Sequence, residues 1–164
     1  MIKKTALAAL AALLLPGSAI AADYKEAIAR GKQVKLLTTA GKTIIVREKY
    51  PVHDARVAPD GMTAAWLLVD VTFDDPPDET GVATMVVYRK GKRRTVPCYQ
   101  LIREYWFHAQ GKQIAYDCGG RHFAGNEVLF DTHTLKEVAR FHQADVPIDK
   151  RPSWSSSDGI VPKE

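Results

Sequence analysis

The chain has 164 residues, with 23 lysines and arginines against 19 aspartates and glutamates, a formal net charge of +4 and 46% hydrophobic residues. That length suits one domain able to bury a core. So small a basic excess, spread along the chain, argues against nucleic acid as a partner.

Met1-Ile2-Lys3-Lys4 is a basic start, residues 5–15 are an apolar run, and Ala19-Ile20-Ala21 is a small-x-small cleavage site. This is the pattern of a secretory signal peptide over residues 1–21, bacterial in style. Its apolar run is too short for a membrane span, and no later stretch nears the roughly twenty apolar residues that a span needs, so no transmembrane segment is expected. Cleavage would leave 143 of the 164 residues, without Lys3 and Lys4 and therefore with a net charge of +2. The expected location is outside the cytoplasm, in the periplasm.

Residues 22–32 are polar and alanine-rich, and Tyr24, Ala27 and Ile28 fall at helical spacing, which predicts a short helix or an ordered arm. Two β-rich runs, 33–39 and 42–50, flank Ala40-Gly41 and read as a hairpin that Pro51 ends. A second hairpin follows, 54–58 and 63–69, turning at Pro59-Asp60-Gly61. Pro presets φ there, Asp can bond the following backbone, and Gly accepts a positive φ.

Asp70, Asp74, Asp75, Asp78 and Glu79 crowd around Pro76-Pro77 in residues 70–81. Solvation of the acidic loop is the plain expectation. A cation site is the alternative, since hard cations take several carboxylates, although the spacing matches no EF-hand. Residues 83–89 and 93–98 form the next hairpin, whose turn carries Arg89, Lys90, Lys92, Arg93 and Arg94. It reads either as a solvated tip or as the contact for an anionic partner, because clustered charge speeds and orients encounter. We take these five residues as the candidate binding set.

Cys98 and Cys118 are the only cysteines, and in an exported chain they are expected to pair. The minor alternative is a reactive thiolate beside Gly119-Gly120-Arg121-His122. Residues 104–120 repeat residues 54–70 at a shift of fifty: Gly111 falls on Gly61, Ala115 on Ala65, Tyr116 on Trp66 and Phe107 on Val57. A further hairpin spans 127–138. From residue 144 to the end the pattern fades into Pro and Ser around Trp154, which predicts a flexible tail whose indole docks on the body or on a neighbour.

The order of strand, Ala58-Pro59-Asp60-Gly61, Ala65-Trp66, then hairpin, repeated as Gly111, Ile114-Ala115-Tyr116 and Val128-Leu129-Phe130-Asp131, resembles the four-stranded blades of WD-like and TolB-type β-propellers. That resemblance implies an all-β domain over residues 33–143, with about ten antiparallel strands in two blades plus one extra hairpin. It also implies protein interaction in the bacterial envelope. Two and a half blades cannot close alone, so a homodimer forming a five-bladed ring is one expectation. A β-sandwich or open barrel is the other.

His53, His108, His122, His133 and His142 lack metal-ligand spacing, and the chain has no GxSxG, P-loop or dinucleotide fingerprint. No catalytic set, metal or cofactor is expected. The leading reading is a non-catalytic exported module that binds a protein partner. A small inhibitor of an extracellular hydrolase is related to it. The contrasting reading is an enzyme or a metal- or ligand-binding protein with a site near Asp117, Arg121, His122 and His108.

Overall fold

A computed structural model describes residues 23–70, 81–119 and 123–156. The expected signal peptide, nearly all of the acidic loop, Arg121, His122 and residues 157–164 lie outside the described residues. The described chain is all-β, with eleven strands in three antiparallel sheets and one short 3-10 turn at Ile148–Lys150.

The first sheet runs in the order β1 (Tyr24–Arg30), β2 (Gln33–Thr38), β3 (Thr43–Arg47). The second is a meander of β4 (Val52–Val57), β5 (Thr63–Asp70), β6 (Gly81–Arg89) and β7 (Lys92–Pro97). The third is a meander of β8 (Leu101–His108), β9 (Gln113–Gly119), β10 (Asn126–Asp131) and β11 (Glu137–His142).

Strand alternation explains the layering. Because successive side chains point to opposite faces, Ala64, Trp66 and Leu68 of β5 pack with Val34 and Leu36 of the first sheet. Ala65 and Leu67 point the other way, against Tyr105, Ile114 and Tyr116 of the third sheet. The middle sheet is therefore buried on both faces and carries the other two. On the far face of the third sheet, Trp106, Ala115 and Leu129 pack with Trp154. The internal repeat survives in this geometry: Trp66 and Tyr116 each face the preceding sheet, while Ala65 and Ala115 each face what comes next.

Two expectations are corrected. The propeller resemblance does not hold, because three sheets of three, four and four strands stack without closing into a ring. The homodimer argued from ring closure loses its basis with it. Closure depends on sheet number and curvature, which local turn and strand patterns do not specify; the sandwich-like alternative is the one that fits.

The second correction concerns residues 22–32, where Tyr24–Arg30 is a strand rather than a helix. A bulge between Tyr24 and Glu26 shifts the register, so Tyr24 and Ala27, three positions apart, both face inward. A bulged strand thus copied helical spacing. The segment is also too short to hold a helix alone, whereas pairing with β2 satisfies its backbone.

Of the segment expected to be a flexible tail, residues 144–156 are described, and their end packs on the body. Trp154, Ser155 and Ser156 are buried, and the Trp106 indole N–H donates to the Trp154 carbonyl at 2.7 Å.

Candidate functional site

The basic turn forms because Lys90 and Gly91 both take positive φ, +49° and +76°, as a two-residue hairpin tip of this hand requires. Its arginines are drawn back into the protein. Arg89 donates to Asp60 Oδ2 at 2.9 Å and to Thr63 Oγ1, tying this hairpin to the Pro-Asp-Gly turn. Arg93 forks onto Glu48 at 2.9 and 2.7 Å. Arg94 donates to the His133 carbonyl at 2.6 Å, across to the third sheet. Only Lys90 and Lys92 of the candidate set point away as exposed cations without an ion pair to a described residue.

Of the alternative set around Asp117, Arg121 and His122 lie outside the described residues, and the two described members, Asp117 and His108, stand apart. His108 pairs across to Gln113, whereas Asp117 pairs with Glu104, four positions back along β8. At about 3.3 Å per residue that separates them by roughly 13 Å. No group of three or more His, Cys, Asp or Glu residues among the described ones is placed to hold a metal.

Asp117 instead belongs to a buried polar network that the sequence reading missed. Arg103 donates to Asp117 Oδ1 at 2.7 Å and to Gln143 Oε1 at 2.6 Å. The Gln143 amide donates to Asp117 Oδ2 at 3.1 Å and to Glu127 Oε1 at 3.0 Å. Glu127 is fully buried and also accepts the Ser156 backbone N–H at 3.1 Å. The one sequence signal was a glutamate inside the apolar strand Asn126-Glu127-Val128-Leu129-Phe130, where alternation puts it on the same face as Leu129. Chemically the network is an anchor: a buried carboxylate needs donors, and the C-terminal segment supplies one.

The same end of the third sheet carries the disulfide. Cys98 and Cys118 are bonded, with Cα atoms 5.8 Å apart, joining the end of β7 to the end of β9. Gly119 and Gly125 approach so closely that a Cβ on Gly119 would lie 2.6 Å from the Gly125 Cα. Arg103 donates to the Phe123 carbonyl at 3.0 Å, and the Gly125 N–H to Gln143 at 3.0 Å. These bonds fix the backbone while two aromatic side chains face outward: Tyr99 is 94% exposed and Phe123 75%.

No protein-family model matches the chain, and no curated protein matches it in sequence. Among solved structures, it is similar to a chain in the structure of Tne2 in complex with Tni2, at 15% identity and a TM-score of 0.46, over 68% of this chain and 76% of that one.

Proposed function

We infer that this is an exported protein-binding module, non-catalytic and without a cofactor, acting in the bacterial periplasm. The signal-type N-terminus and the Cys98–Cys118 disulfide support export. The observation that carries the binding reading is the pair of aromatics, Tyr99 and Phe123, exposed at the disulfide-braced end of the molecule. Rigid aromatic side chains give large contact area at little entropic cost, and interfaces draw their strongest contacts from them. Of the basic turn, Lys90 and Lys92 are the charges left to meet a partner at the opposite end of the strands.

The test places a photo-crosslinking benzoylphenylalanine at Tyr99, at Phe123 and, as a control, at the exposed Val138 on β11, in cells that make the protein. A discrete protein adduct from the two aromatic positions, absent from Val138, is expected. No adduct, or the same adducts from all three positions, overturns the reading.

A further inference from the structure

We propose that the outer face of the β1–β3 sheet is a docking surface for an acidic protein partner. This goes beyond the reading above and does not rest on the aromatic end.

The inner face of this sheet belongs to the core, through Val34, Leu36, Ile44 and Val46. Its outer face is defined by register. Ile28, Lys35 and Ile45 pair directly across the three strands, and so do Arg30, Gln33 and Arg47 in the next outward row. Neighbouring strands lie about 4.8 Å apart, so each row spans roughly 10 Å, and outward rows are about 7 Å apart along the strands. Ile45 is 54% exposed and Ile28 39%.

Charge chooses the occupant. Arg30, Lys35 and Arg47 are all exposed and make no ion pair among the described residues, whereas Arg89 and Arg93 of the basic turn are ion-paired and Arg94 donates to a backbone carbonyl. Glu26 is the only acid paired into this face. A second copy stacked on the same face would set these cations against each other, which disfavours self-association. An anionic membrane would satisfy the charge, but the face lacks the Trp and Tyr that seat proteins at lipid interfaces. What fits is a protein surface with carboxylates placed around an apolar centre, since apolar core and polar rim is the anatomy of a protein interface.

The probe is an extended peptide repeating Glu-Ser-Leu-Ser, which presents Glu and Leu on one face, titrated into the isotope-labelled, disulfide-closed protein and followed by NMR. Saturable shifts confined to β1–β3 are expected, weakened about tenfold by Lys35→Glu and by added salt, and weakened by Ile45→Ser at fixed salt. The Lys112→Gln, Lys136→Gln double variant, which removes exposed charge outside β1–β3, should bind as the parent does. Should Lys35→Glu lose its dispersed spectrum, Arg30→Gln with Arg47→Gln makes the same test. Shifts centred on the basic turn, or binding indifferent to Lys35→Glu, overturn the proposal. So does attachment to phosphatidylglycerol vesicles through these residues without any peptide binding.

Discussion

Arg93 and Glu48 stand 45 positions apart and close a two-pronged ion pair, and Glu48 Oε1 also accepts the Trp66 indole N–H at 3.1 Å. One carboxylate therefore fastens the first sheet to the middle one. Its side chain is 3% exposed, that of Arg93 39%. The two partners should consequently be unequal. Glu48→Ala leaves the buried indole N–H without its acceptor and is expected to cost about 2 kcal/mol, while Arg93→Ala removes a partly solvated charge and should cost less than about 1 kcal/mol. Urea midpoints at unchanged slope measure both. Equal losses would show that the salt bridge, rather than the indole bond, matters.

Trp154 closes the outer face of the third sheet against Trp106, Ala115 and Leu129. Trp154→Ala should cost about 3 kcal/mol, since truncating a buried aromatic opens a cavity. It should also shift tryptophan emission to the red as Trp106 meets water. Glu127→Ala should loosen the same segment from its other attachment, the Ser156 N–H. Unchanged emission in both variants would count against a packed C-terminus.

Tyr105 is buried between the middle and third sheets, with its hydroxyl 2.6 Å from the Asp54 carbonyl and 2.8 Å from that of Ala65. Burial pushes its pKa well above the ordinary tyrosine value of 10.0. A raised folded pKa gives stability that is complete below the unfolded value and lost as pH rises through the folded one. Stability should therefore fall above about pH 10. Tyr24 and Tyr116 are raised too, mainly by burial, so they share the slope. Tyr105→Phe should cost about 1 kcal/mol at neutral pH and make the alkaline decline shallower without abolishing it. An identical decline in the variant would remove Tyr105 from its cause.

The disulfide closes a ring over a sequence separation of 20. By loop entropy, reduction should cost about 3 kcal/mol. Amide exchange around residues 98–103 and 117–119 should then quicken more than exchange in β1–β3. A uniform increase would mean that the bond constrains only the unfolded chain.

What was readable in the sequence lay within one hairpin. The turns at Gly41, Gly61, Gly91 and Gly111 were marked by glycine, and all four have positive φ. The strands between them followed alternation and β-branched content. The cysteine pair followed from compartment and count. What could not be read were relations across sheets. Nothing near Arg89, Arg93 or Arg94 signals partners 29, 45 and 39 positions away, so the turn looked like free charge. The Tyr24/Glu26 bulge disguised β1 because a register shift changes which residues share a face. Blade-like repeats likewise say how each sheet folds but not how many sheets there are, and the ring expectation failed at that step.

Gly111 links the two copies of the repeat most directly. It has φ +81°, and a Cβ there would lie 2.9 Å from the Ala58 Cβ and 3.2 Å from the Asp60 backbone nitrogen. Its own turn therefore nestles against the Pro-Asp-Gly turn of the first copy. Gly91 has nearly the same φ, +76°, with nothing within 4 Å. Comparing them separates backbone strain from contact. Gly91→Ala should cost about 1 kcal/mol, the penalty of a left-handed alanine. Gly111→Ala adds a collision with groups that cannot swing aside and should cost about 3 kcal/mol. It should also disturb Arg89, because Asp60 holds that guanidinium. Thermal midpoints give the difference, and NMR signals of Arg89 report the second effect. If both glycines cost the same, the two turns do not press on each other, and the contact between the repeat copies contributes nothing beyond local backbone geometry.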